Sequence, residues 1–168
     1  MLELVSHKRA LKLCKDVEST EVIKELGGRK LANDMIKLCV KENGMGLAAP
    51  QIGISYKFFV AYFQEFLNWR LFINPVYRPL NQQTVDSVEG CLTCRTESTY
   101  KVKRYTKILA EWQEEDTYGD FITRKQEITG ISAIIFQHET DHINSITVSA
   151  KGEKIKIEKE NGKIPESK

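Results

Sequence analysis

Gln137-His138-Glu139-Thr140-Asp141-His142 carries two of the chain's three histidines in an H-E-x-x-H spacing. On a helix that spacing sets both imidazoles on one face with a carboxylate beside them, which makes two thirds of a metal site plus its general base. Upstream, Ile131, Ile134 and Ile135 fall at i, i+3 and i+4, and His138 and His142 continue the stripe at i+7 and i+11. The pattern predicts a helix that starts near Thr129 and turns its histidines toward a buried pocket. The plainer reading is a helix with two satisfied core or surface histidines; the metal reading is favoured. The pentad alone specifies neither the metal nor its third ligand.

The rest of the chain bounds the setting. Its 168 residues suit one domain with a proper core. A composition of 41% hydrophobic and 29% charged residues is that of a soluble globular protein. A formal net charge of +2, with no basic stripe interleaved with aromatics, argues against nucleic-acid binding. No apolar run approaches a membrane span. At the N-terminus the charges of Lys8 and Arg9 follow the short apolar stretch, the reverse of a signal peptide, so a cytoplasmic, unprocessed chain is expected. In that compartment Cys14, Cys39, Cys91 and Cys94 speak for thiol chemistry or metal ligation and against a disulfide framework. Cys14 and Cys39 lie in apolar patterns and read as small buried hydrophobes.

A helix is expected over residues 29–43, with Leu31, Met35, Leu38 and Cys39 on its buried face and Gly44 taking the left-handed stop. Gly44-Met45-Gly46-Leu47-Ala48-Ala49-Pro50-Gln51 reads as a small, uncharged loop. Residues 57–63 and 70–77 read as strands, the second ended by Pro75 and Pro79. Residues 100–111 and 120–128 read as a hairpin around Asp116-Thr117-Tyr118-Gly119. After the pentad, residues 154–158 alternate like an edge strand and 159–168 read as a frayed tail. The expectation is one α+β domain over residues 1–150, with 151–168 as edge strand and tail.

A catalytic site of this type has three protein ligands and an open position. His7 lies in a segment of little predicted order, and acids downstream of the pentad leave almost no chain for a protease cleft. Cys91, in the turn Glu89-Gly90-Cys91-Leu92, is the better third ligand. Gly44 and Gly46 let the backbone approach a ligand closely, and Gln51 can donate an amide hydrogen bond. Standing alone, that loop could equally be a tight helix-to-strand connection.

Taken together, the three segments 44–51, 89–92 and 137–142 resemble the three ordered motifs of the peptide deformylase family, over well more than half the chain. The resemblance implies mixed and antiparallel β-sheets packed around a central H-E-x-x-H helix. It implies removal of the formyl group from N-formylmethionyl nascent chains, with a monomer expected and a transient ribosome contact compatible with the role. It implies metal ligation by Cys91, His138 and His142, acid–base work by Glu139, and oxyanion donors from the Gln51 side chain and the Leu92 backbone N–H. It places Gly46 where the backbone holds the substrate chain. The implied cofactor is one divalent metal ion, Fe²⁺ natively, with Zn²⁺, Ni²⁺ or Co²⁺ forms also known in the family.

The physical chemistry of these groups agrees. A metal lowers the pKa of its water to about 7, and the resulting hydroxide can attack the formyl carbon. Glu139 would take the water's proton and pass it to the departing amine. Donors from Gln51 and Leu92 would hold the developing oxyanion, each worth about 3–4 kcal/mol. Met45, Leu47, Ile134 and Ile135 are candidates for lining a methionine pocket, against the alternative of ordinary core packing. Asp141 could orient a neighbouring group or solvate the helix flank.

The chain departs from the family at the edges of the motifs. After Cys91-Leu92 the usual Ser, apolar residue and Pro are replaced by Thr93-Cys94-Arg95, and an arginine further on has no counterpart, Ser98 standing near its place. Ile143-Asn144-Ser145 stands where the family commonly ends in Gly, and no amphipathic helix is legible from Thr147 onward. A divergent or minimal member is expected. Cys91-Leu92-Thr93-Cys94 could instead join the two histidines in a closed structural zinc site. However, 43 residues separate Cys94 from His138, against about 12–20 in compact fingers, and Glu139 would have no role. A redox C-x-x-C lacks its βαβ setting, and a metalloprotease lacks chain for its cleft.

Overall fold

Helical periodicity gives way to β alternation after the first quarter of the chain. Helices α1 (His7–Ala10), α2 (Thr20–Glu25) and α3 (Gly28–Lys41) are followed by strands β1 (Gly46–Ala48), β2 (Phe58–Phe63), β3 (Asn68–Pro79) and β4 (Thr84–Glu89). Strands β5 (Thr99–Tyr105), β6 (Lys107–Glu115) and β7 (Phe121–Thr129) lead into α4 (Gly130–Ile143), then α5 (Val148–Lys151) and β8 (Glu153–Ile155). This is a computed structural model that describes residues 2–94 and 99–155, with the side chains of His7 and Cys94 outside it. Arg95, Ser98 and the alternation and tail expected beyond residue 155 therefore lie outside the described residues.

The strands form two antiparallel sheets, β1-β2-β3-β6-β7 and β4-β5-β8. Strand β2 is buried on both faces, which is why its sequence is an unbroken apolar run. Phe58 and Val60 meet the buried stripe of α3, formed by Leu31, Met35, Leu38 and Cys39. Phe59, Ala61 and Phe63 face the opposite way, into an aromatic cluster with Phe72, Trp112 and Phe136 of α4. Phe136 meets Phe59 and Phe72 edge-on, with ring centroids 5.3 and 5.5 Å apart, the geometry that aromatic quadrupoles favour. α4 also packs on β5 of the small sheet. The H-E-x-x-H helix is thereby fixed against both sheets.

Several local expectations change. Asn43, with φ 57°, takes the left-handed stop in place of Gly44; asparagine tolerates that region and leaves Gly44 free for another task. Residues 46–48 form an edge strand paired with Phe59–Ala61, because the loop's small residues can lie flat against β2. Pro75 does not end β3. Asn74, at φ 48°, makes a bulge between Ile73 and Val76, and pairing resumes to Pro79. The run 100–111 is two strands: the chain leaves the small sheet at Tyr105 and enters the large one at Lys107, so the β6 hairpin partner of β7 runs to Glu115. Strand β4 has no counterpart among the expected elements.

α4 begins at its N-cap Thr129, close to the expected start, and ends in a Schellman-type turn. Ile146 N–H donates to Asp141 O at 2.8 Å and Ser145 N–H to His142 O at 3.0 Å. Ser145 holds φ 61° there, and its buried hydroxyl has no hydrogen-bond partner. Glycine suits this position better on both counts. Ser145→Gly is expected to stabilise the fold by up to about 1 kcal/mol, a rise of about 2–4 °C in Tm. A lowered melting temperature would contradict the assignment of strain.

Candidate active site

Burial along α4 is graded. Ile131 at the first turn is exposed, Ile134 half-buried, Ile135 buried, His138 half-buried and His142 buried. Of the sequence stripe, Ile131, Ile134, Ile135 and His138 line a cavity, and His142 is buried beyond that lining. Cys91 follows the last residues of β4 and closes on the two histidines. Its Sγ lies 3.4 Å from His142 Nε2, the two Nε2 atoms are 3.2 Å apart, and the three ligand atoms all lie within 4.8 Å of one another. Burial alone would raise the Cys91 thiol, but hydrogen bonds from His138 and His142 outweigh it and bring the pKa down to about 4. The group is therefore a thiolate at neutral pH, the form that ligates metals. Thr93 Oγ1 is 3.1 Å from the same sulfur.

Behind Cys91, His138 and His142 stands an ion-pair network that joins Glu89 and Asp141 of the motifs to Arg104 and Lys151, which the motifs do not include. His138 Nδ1 is 2.8 Å from Glu89 Oε2, a contact that leaves Nε2 free to hold a metal ion. Arg104, 1% exposed, donates from Nε and Nη2 to the two Glu89 oxygens at 2.8 and 2.7 Å and from Nη1 to Asp141. Lys151 Nζ donates to both oxygens of Asp141 at 2.8 and 2.9 Å. Asp141 thus orients Arg104 from the helix instead of solvating its flank. The one sequence signal for Arg104 was alternation: it shares the inward face of β5 with Val102, and an inward arginine needs partners.

Burial would raise Glu89, but the Arg104 and His138 hydrogen bonds prevail and hold it at about 2. A folded-state pKa below the unfolded value contributes stability that is full above about pH 4.5 and is lost as pH falls toward about 2. The size is on the order of 3 kcal/mol. Urea titrations of the wild type and Glu89→Gln should differ most near pH 6 and converge as pH falls below about 3. A gap that does not change with pH would show that the Glu89 charge is not what the fold uses.

Glu139 is fully enclosed; burial raises its pKa, and Oε2 has no hydrogen-bond partner. A buried carboxyl oxygen without a partner, beside a thiolate and two imidazoles, fits a centre with three protein ligands and an open position for water. Gly46 makes room for it. A Cβ built on Gly46 would lie 2.4 Å from Glu139 Oε1 and 2.8 Å from Cδ, and its carbonyl accepts the Cys39 thiol at 3.2 Å. Gly44 is similarly constrained, since a Cβ there would meet Cys39 Sγ at 2.8 Å and Leu92 Cδ1 at 2.9 Å. Gln51 Oε1 accepts the Ala48 N–H at 2.8 Å, which turns Nε2 toward Cys91 Sγ, 3.9 Å away.

These groups share a cavity of about 470 Å³ lined by Met45, Gly46, Gln51, Leu92, Ile134 and Ile135, together with Cys91, His138 and Glu139. Val88 and Ile131 add apolar rim that the motifs do not mark. Leu47 does not reach it. Alternation along β1 turns Leu47 to the opposite face, where it is 0% exposed in the core beneath α3. Its expected place in a methionine pocket is corrected to ordinary packing.

A thiolate, two imidazoles and a buried carboxyl at the floor of an apolar cleft, on an α+β frame, define a metal-dependent hydrolase. The chain belongs to the Polypeptide deformylase family, whose profile matches residues 2–158, and whose members remove the N-formyl group from nascent peptides. A peptide deformylase of Fusobacterium nucleatum subsp. nucleatum is 35% identical over 135 residues, covering 80% of this chain and 72% of that protein. The solved peptide deformylase of Thermotoga maritima superposes with a TM-score of 0.73 at 29% identity, over 90% of this chain and 97% of that one. A probable peptide deformylase of Synechococcus phage S-SSM7 gives a TM-score of 0.73 at 25% identity, over 90% and 99%.

Proposed function

We propose that Cys91, His138 and His142 hold one divalent metal ion, natively Fe²⁺, and that the cleft above them deformylates N-formylmethionyl chains. The observation that carries this reading is the convergence of three ligand atoms within 4.8 Å beside the unpartnered carboxyl oxygen of Glu139. When bound, the ion supplies Lewis acidity and makes its water acidic enough to lose a proton near neutral pH. Glu139, raised by burial, would take a proton from the attacking water and deliver it to the leaving amine nitrogen. Gln51 Nε2 and the Leu92 N–H donate to the formyl oxygen as it becomes negative. The Ala48 contact that fixes the Gln51 amide supports this role, because a pre-aimed donor costs no reorganisation. Met45, Ile134 and Ile135 take the methionine side chain, and the Gly46 backbone holds the peptide.

The same reading makes residues 1–150 one catalytic domain that works as a cytoplasmic monomer and meets the ribosome only transiently. No helix among the described residues is long and apolar enough to cross a membrane. Anaerobic purification with metal analysis, followed by assay on formyl-Met-Ala-Ser, tests the proposal. One metal per chain and release of formate are expected. Cleavage of unblocked internal peptide bonds, with none of the formyl group, would overturn it in favour of a protease.

A further inference from the structure

The ion-pair network behind the ligands has one end at the surface, and that end belongs to the C-terminal segment. Lys151 sits in the last turn of α5 with its side chain one-third exposed, whereas the Glu89, Asp141 and Arg104 side chains are at least nine-tenths enclosed. From Lys151 the contacts run unbroken through Asp141, Arg104 and Glu89 to His138 Nδ1. The placement of Lys151 is enforced by the chain beside it. A Cβ on Gly152 would lie 2.6 Å from Lys101 O and 2.7 Å from Val102 Cγ2, so the turn after α5 sits directly on β5, the strand that carries Arg104. β8 then pairs with β5 through Thr99–Lys101.

From this geometry we infer that Lys151 is a positioning residue for the metal centre, acting through Asp141 and Arg104 on the Glu89–His138 pair. The inference rests on the metal-centre reading above. One guanidinium stands between two buried carboxylates. While Lys151 neutralises Asp141, Arg104 can give Nε and Nη2 wholly to Glu89, and Glu89 holds the ring of His138 in its ligating orientation. Without the Lys151 charge, Asp141 is a buried carboxylate with half its compensation, and it draws the guanidinium toward itself. Glu89 then loses part of its bidentate hold, and His138 loses its orientation. Losses of such outer partners lower metal retention by 10–100-fold in general, and an effect on the order of tenfold is expected for this more remote group.

The test follows metal release to a chelator from Co²⁺-loaded protein, read by the thiolate-to-cobalt absorbance. Lys151→Met should release cobalt about tenfold faster than wild type, while circular dichroism shows the same folded content. Lys151→Arg should restore the wild-type rate. The double variant Lys151→Met with Asp141→Asn should recover most of the loss, since the carboxylate in want of a partner is gone. A Lys151→Met protein that releases cobalt at the wild-type rate overturns the inference, and so does a double variant no slower than the single one. Wild-type protein that takes up no cobalt would overturn the metal centre itself, a separate failure.

Discussion

Cys91→Ser is expected to yield a folded protein that holds no stoichiometric metal and leaves formyl-Met-Ala-Ser at its background rate. The cysteine is a thiolate at neutral pH, with burial opposed and exceeded by the hydrogen bonds of His138 and His142. A serine hydroxyl in the same place stays protonated, so the site loses both a soft ligand and a charge. Two imidazoles alone make a weak site, and loss of a direct ligand exceeds the 10–100-fold cost of losing an outer partner. Cys94→Ser is the control and should keep most of both metal and activity. Metal content and turnover measured on the same samples decide the matter. Equal loss in both variants would instead support a closed site with four protein ligands.

Glu139→Gln should separate chemistry from folding. The amide keeps the shape of the side chain but cannot take a proton, so kcat is expected to fall about 10²–10⁴-fold. Metal content should not change, because Glu139 is not among the three ligand atoms. Stability should move the other way. Burial holds the Glu139 pKa above its usual value, so a charged carboxylate there costs folding free energy that a neutral amide does not. A melting temperature equal to or above that of the wild type, with the metal retained, is the expected companion result. A variant that keeps more than a tenth of wild-type kcat would remove Glu139 from its acid–base role.

Much of the site could be read from the chain because its parts are local. The H-E-x-x-H spacing is a property of one helix, the Cys91 turn of four residues, and the Gln51 loop of eight. Arg104 escaped because its partners come from β4 and α4, and no spacing along β5 names them. Leu47 was misplaced for a related reason: whether a residue faces cleft or core depends on the strand's pairing with β2, which the sequence of a loop-like segment does not specify. The single run read over residues 100–111 hid a change of sheet at Thr106, since alternation continues across the crossing and only pairing partners reveal it. Helix α4 begins within a residue of its expected start because the apolar stripe that predicts it opens at Ile131, in the helix's first turn.

The contact between Gly46 and Glu139 also limits how this sequence can vary. With 2.4 Å between a would-be Cβ and Oε1, positions 46 and 139 behave as one unit although 92 residues separate them in the chain. A side chain at 46 is tolerable only beside a shorter one at 139, so the effects of changing each will not add. Paths of substitution that enlarge the glycine loop must therefore pass through loss of the buried acid, and the two residues are kept or lost together.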